Sequence, residues 1–238
     1  MLRTILLSTA VALAGYASAA WLTHDFQVWT AEGARRLEVA LQPVATPPVL
    51  MDGPSTGPQR LSSFLADGQT VTVVDFVYTR CQSVCLALGS VYQQMQASLQ
   101  AAAKQNPSTA AAMPPEKGQS PERVKLLSVS FDGLHDSPDV LQQYAMRLNA
   151  DPQLWRFARV QNPQETQRLL ADFQVVVVPD GRGNFEHNAA LLVVDQRGRL
   201  VRIFDYTEQQ LALDYARDLA GTVPPPDTAI SVPVTPSP

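Results

Sequence analysis

Residues 71–85 read VTVVDFVYTRCQSVC, and the fold is decided there. Val71 to Tyr78 is a β-branched and aromatic run of strand length, apolar enough for a strand covered on both faces. From Ser83 the pattern turns helical, with Leu86, Val91, Met95 and Leu99 at helix-like intervals. Between strand and helix stand Cys81 and Cys85, the only cysteines in the chain. A disulfide closing so short a loop contributes only about 2 kcal/mol before strain, so the pair is poorly placed to staple a fold. Its use is chemical. The i, i+4 spacing puts both side chains on one face of a helix start, where exposed N–H groups and Arg80 favour the thiolate of Cys81. Two adjacent thiolates suit Cu(I) or Zn(II), and they can also close to a disulfide. A zinc site wants four ligands, and no second cysteine pair exists to supply them.

Downstream, Val124 to Phe131 reads as a second buried strand, and Ser137 caps a helix that starts at Pro138 and runs to about Asn149. Pro163 to Phe173 is a short helix, and Val175 to Val178 a strand stopped by Pro179-Asp180-Gly181. Leu191 to Asp195 and Leu200 to Asp205 form a hairpin about Gln196-Arg197-Gly198. Thr207 and Gln210 make a capping box for a last helix to Ala220. Upstream, Phe26 to Thr30 and Arg36 to Leu41 read as an opening hairpin around Glu32-Gly33, and Pro43 to Pro48 as an extended connector. The plan is α/β: a mixed central sheet flanked by helices, with an N-terminal hairpin. Thioredoxin-like folds present their reactive sulfurs at such a strand-to-helix junction.

The chain has 238 residues, a net charge of −4 and no basic block, which fits one sizeable domain and argues against a nucleic-acid partner. Arg3 precedes an uncharged, mostly apolar run from Thr4 to His24, long enough to cross a bilayer as one helix. The run also contains Ala17-Ser18-Ala19, a pattern that a signal peptidase cuts. Residues 1–24 are therefore a membrane anchor or signal segment. The expected location is the bacterial inner membrane with the domain in the periplasm, the alternative being a soluble periplasmic protein after cleavage. Residues 25–221 form the domain, with an Ala- and Pro-rich insertion at about 101–121, and the Pro-rich residues 222–238 read as a disordered tail.

His187 lies in the stretch Asp180 to Asn188, directly before ALLVVD, whose neighbour in such a sheet is the strand leading to Cys81. That puts its imidazole near the C-terminal end of the central strand, where open α/β sheets bind ligands. A loop histidine is ordinarily just solvated. His135 could approach the site but has that simpler reading, and His24 borders the apolar run and reads as an interface residue. Met95 and Met146 read as core packing, and Asp132 and Asp136 as complementing a helix dipole.

Three blocks together resemble the Sco/SenC family, copper chaperones that help assemble cytochrome c oxidase. They are VVDFVYTRCQSVC (Val73 to Cys85), SVSFDGLHDSPDVLQQY (Ser128 to Tyr144) and HNAALLVVDQRGRLV (His187 to Val201). Asp132, Asp136 and Pro138 keep the family's register in the second block. The chain departs from the family in having Gln82 and Leu86 where prolines usually follow the cysteines, and Gly133-Leu134-His135 where Pro-Glu-Arg is usual. The resemblance implies a thioredoxin-like fold and copper ligands at Cys81, Cys85 and His187. It implies a metallochaperone that delivers copper to the binuclear copper centre of a respiratory oxidase subunit, its copper-acceptor partner. The alternative is a periplasmic thiol-disulfide reductase in which Cys81 and Cys85 are the redox-active pair that keeps the acceptor cysteines reduced. A thiol peroxidase places Thr or Ser three residues before its reactive cysteine, and here Tyr78 stands in that position.

Overall fold

The structure, a computed structural model, describes residues 2–23, 28–54, 56–81, 84–105 and 123–221, with backbone alone at 22, 84–86 and 105. Helix α1 (Leu2–Leu22) is exposed along nearly its whole length. Next come α2 (Ala31–Leu41), β1 (Val44–Ala45), the hairpin β2 (Leu50–Gly53) and β3 (Thr56–Arg60), and the short α3 (Leu61–Leu65). Strand β4 (Val71–Val77), α4 (Val84–Gln105), β5 (Val124–Ser130), α5 (Pro138–Arg147), β6 (Trp155–Val160) and α6 (Pro163–Asp172) follow in alternation. The chain then passes through β7 (Val177–Pro179), β8 (Phe185–His187), β9 (Ala190–Val194), β10 (Arg199–Asp205) and α7 (Gln209–Gly221).

Among the described residues eight strands form one sheet in the order β1-β10-β9-β4-β5-β6-β2-β3. Strands β4, β5 and β6 are parallel, and β9 runs antiparallel to β4. This is the thioredoxin-like α/β arrangement. Every residue of β4 is buried, because both faces of the sheet are covered. Val71 and Val73 pack with Leu88, Tyr92, Met95 and Leu99 of α4 and with Ala212, Leu213 and Ala216 of α7. Val74 and Phe76 face the other way, toward Val39 of α2, Leu61 and Leu65 of α3, and Leu169 of α6. The period of two along a strand divides the molecule into these two cores.

Several expectations need correction. The opening hairpin is a helix: Thr30 caps α2, its Oγ1 accepting from the Gly33 N–H at 3.0 Å, and Glu32 pairs with Arg35 and Arg36. Ala, Arg, Leu and Glu favour that helix, and the Glu32-Gly33 turn signal loses to the cap. Residues 26–27 of the expected hairpin, the bulk of the 101–121 insertion, the 222–238 tail and His24 lie outside the described residues. Strand β6 escaped notice because Arg156 and Arg159 break its apolar pattern. Arg156 lies over the Phe64 ring, and Arg159 pairs with Asp52 of β2 at 2.8 Å. Strand β7 starts two residues late and pairs with β8 in a separate two-stranded sheet, as Pro179 cannot donate to a central ladder. The last helix is preceded by a 3-10 turn whose capping box uses Asp205 and Glu208, not Thr207 and Gln210. Along α4 the buried stripe runs through Leu88 and Tyr92, Val91 is half-buried, and the side chain of Leu86 lies outside the described residues. Met95 is core as expected, whereas Met146 is 59% exposed.

One feature of the core is costly. Asp75 sits in the middle of β4, 1% exposed, and neither carboxyl oxygen has a hydrogen-bond partner among the described residues. Burial pushes its carboxyl up to about 7, with the nearby Ser128 and Tyr92 hydroxyls pulling weakly the other way. The folded state therefore holds a proton that the unfolded chain gives up near the ordinary aspartate value. Stability falls as pH rises between those two values and is flat above the higher one. An Asp75→Asn variant is expected to gain stability relative to the parent between about pH 5 and about pH 8, on the order of 2–3 kcal/mol. Urea midpoints at the two pH values check this, and an equal difference at both would show that Asp75 is already ionised in the fold.

Candidate metal centre

The C-terminal ends of β4 and β5 carry the site. After Val77 the chain turns through Thr79 and Arg80, and the Cys81 N–H bonds the Tyr78 carbonyl at 3.2 Å. Cys81 is thus in the loop ahead of α4, not on the helix, and the i, i+4 face expected for the two cysteines does not apply to it. Cys85 is the second residue of α4, and its side chain lies outside the described residues. Cys81 is 6% exposed and packs with Val77 and Tyr78 against Phe131 and Phe185.

His187 ends β8, paired with Val177 of β7, so it belongs to a short ribbon and not to a loop. Its ring meets Phe131 edge-on with centroids 5.4 Å apart. Tyr78 anchors the ribbon: its hydroxyl donates to the Phe185 carbonyl at 3.1 Å and accepts from the Phe185 N–H at 3.2 Å. Tyr78, Phe131 and Phe185 form a cluster with all three pairs of ring centroids 5.2–5.5 Å apart. Cys81 and His187 therefore adjoin the same aromatic cluster, although 106 residues of chain separate them (187 − 81 = 106). Burial holds the His187 imidazole below its ordinary value, which keeps it neutral and able to offer a lone pair to a metal. Among the described side chains, no three His, Cys, Asp or Glu residues converge on one point.

A polar network fixes the Cys81 loop. Asp136, fully buried, accepts from the Thr79 N–H at 3.0 Å, from the Thr79 hydroxyl at 2.6 Å and from the Ser130 hydroxyl at 2.6 Å. Asp132 holds Arg80 at 2.7 Å and His135 Nδ1 at 2.7 Å. The two aspartates do more than complement a dipole. Arg80 is likewise engaged by Asp132, which offsets the help it was expected to give the Cys81 thiolate. Sequence reading missed Thr79, Ser130, Phe131 and Phe185; a hydroxyl two residues ahead of Cys81 was the one available signal. A concavity of about 840 Å3 opens at the opposite end of the strands, lined by Thr70, Leu99 and Lys125, and touches neither Cys81 nor His187.

The comparisons agree with this architecture. No curated protein matches the chain by sequence. A SCO1/SenC family lipoprotein from Bacillus anthracis str. Ames superimposes with a TM-score of 0.59 at 20% identity, covering 75% of this chain and 98% of that one. BsSco, described as a Sco family cytochrome c oxidase assembly protein with a disulfide switch, gives 0.58 at 17% identity, over 75% and 95% of the two chains. Copper-bound ScoI from Bradyrhizobium japonicum gives 0.54 at 19% identity, over 74% and 99%. At these identities the likeness is one of fold. The family assignment comes from the sequence itself, because the SCO1/SenC pattern matches residues 66–222, and the chain belongs to the SCO1/SenC family.

Proposed function

We propose that this chain is a copper metallochaperone that takes up copper through Cys81, Cys85 and His187. It delivers the ion to the binuclear copper centre of a respiratory oxidase subunit. The observation that carries the reading is the shared aromatic cluster, which packs a buried sulfur and a neutral imidazole at one end of the sheet. Two thiolates and an imidazole make a soft donor set suited to Cu(I). ScoI of Bradyrhizobium japonicum has been solved with copper bound, and BsSco is a cytochrome c oxidase assembly protein; both support the reading. The copper is cargo, and the role of the chain's own residues is to hold it in a dry, shaped setting and to release it.

The disulfide switch of BsSco favours a second role for the same sulfurs. In that role the Cys81 thiolate attacks a partner disulfide, and Cys85 then resolves the mixed disulfide. The partner gains two electrons and two protons, and Cys81 and Cys85 are left joined. The domain of this protein is taken as residues 25–221, held at the periplasmic face of the inner membrane by α1, which is long and apolar enough to span a bilayer.

The reduced full-length chain in detergent is expected to bind one Cu(I) with both sulfurs as ligands, checked anaerobically by metal analysis and X-ray absorption. A shell of oxygen and nitrogen alone, or preferential retention of zinc, would overturn the assignment. His187→Ala is expected to weaken copper binding at least about tenfold while reduction of a disulfide substrate slows far less, because the imidazole is a ligand but not a reactant. Cys81→Ser or Cys85→Ser should abolish both. Unchanged copper affinity in His187→Ala would leave the reductase as the better account. Cell fractionation with protease accessibility tests the anchor: the intact chain belongs in the membrane fraction, and a soluble periplasmic product beginning at Ala20 would show cleavage.

A further inference from the structure

His135 stands on the β5–α5 loop in a setting unlike that of a merely solvated histidine. Gly133 lets this loop press onto β6, where a Cβ would meet the Val160 carbonyl oxygen at 2.1 Å. The tight turn brings the His135 N–H to the Asp132 carbonyl at 2.9 Å and His135 Nδ1 to Asp132 Oδ1 at 2.7 Å. The Asp132 side chain is 8% exposed and the His135 side chain 59%. A carboxylate accepting from Nδ1–H fixes the tautomer and orients the ring, leaving the Nε2 lone pair as the outward donor. Protein imidazoles that bind metals are arranged in this way.

The same carboxylate links His135 to the site. Asp132 Oδ2 takes Arg80 at 2.7 Å, and Arg80 adjoins Cys81 in the chain. The Asp132 N–H donates to Ser130 Oγ at 3.1 Å, and the Ser130 hydroxyl in turn donates to Asp136, which holds Thr79. His135 is thus held to the Cys81 loop by a continuous chain of hydrogen bonds. The Arg80 charge, which would repel a cation, is offset by Asp132.

We propose that His135 Nε2 is a docking ligand for the copper cargo on its way into and out of the site, distinct from the resident donors Cys81, Cys85 and His187. The proposal rests on the copper reading above. Ions of this kind move between donor sets by exchange: the bond to the incoming ligand forms before the bond to the outgoing one breaks, and the ion stays Cu(I) throughout. An imidazole fixed by Asp132, and tied through that carboxylate to Arg80 of the Cys81 loop, supplies the intermediate ligand for that exchange.

Stopped-flow transfer of Cu(I) from the reduced full-length chain to bathocuproine disulfonate, and loading from the Cu(I)–bicinchoninate complex, test this directly. His135→Gln is expected to slow both directions about tenfold, with the equilibrium affinity changed less than about threefold. Asp132→Asn is expected to shift the rates the same way by freeing the ring. Transfer and loading rates in His135→Gln equal to the parent's would overturn the proposal. So would a loss of affinity as large as that in His187→Ala, since His135 would then be a resident ligand. A parent chain that binds no copper would instead overturn the copper reading itself.

Discussion

The Asp136 carboxylate is the joint on which the site depends. Lying fully buried, it accepts three hydrogen bonds, two from Thr79 ahead of Cys81 and one from Ser130 at the end of β5. A buried carboxylate is tolerated only when its lone pairs are satisfied, and bonds to a charged acceptor are the strong kind. Removing either side strands the other in an apolar setting, so the loop before Cys81 and the loop after β5 are locked in one arrangement. Phe131 follows Ser130 directly, and its N–H bonds the Val77 carbonyl at 3.1 Å, which sets its ring against Cys81 and His187. The aromatic floor of the site is thereby placed by the same joint.

Polarity is distributed very unevenly around this end of the sheet. Asp136 and Asp132 are matched by donors, whereas Asp75, six residues before Cys81, is buried with neither oxygen bonded among the described residues. Tyr92, which packs across from it, also has a buried hydroxyl without a partner there, and burial raises its phenol well above the ordinary value. Below about pH 7 the uncharged Asp75 is the favoured form in that setting. The central strand thus carries a group whose charge state is set by the fold.

Much of this was legible in the sequence, for definite reasons. Val71 to Val77 is a strand buried on both faces, so its apolar run is unbroken and its length diagnostic. Ser137-Pro138 is a strong helix start because cap and fixed φ agree, and the Ser137 hydroxyl does accept from the Val140 N–H at 3.3 Å. β6 was not legible because Arg159 leaves the apolar pattern to reach Asp52, a pairing only the tertiary structure reveals. α2 was misread because a glycine inside a helix resembles a turn until its cap is seen. At the site, the residue types pointed to Cys81, Cys85 and His187. The aromatic cluster beside Cys81 and His187, and the Asp132 and Asp136 ties, join segments far apart in the chain, and no local pattern encodes such contacts.

The ribbon of β7 and β8 has a consequence for how the site behaves in time. It is a pair of three-residue strands outside the eight-stranded ladder, and Tyr78 and the Phe131 and Phe185 rings tie it to the rest. Two-stranded ribbons are marginal on their own, and proteins open first where few buried contacts and backbone bonds must be broken. His187 therefore lies on a unit outside the main sheet with few backbone bonds to break, while Cys81 follows the fully buried β4 by a short loop. The two sides of this end of the molecule are held unequally, the His187 side by the paired Tyr78–Phe185 hydrogen bonds and a few ring contacts, the Cys81 side by a sheet covered on both faces.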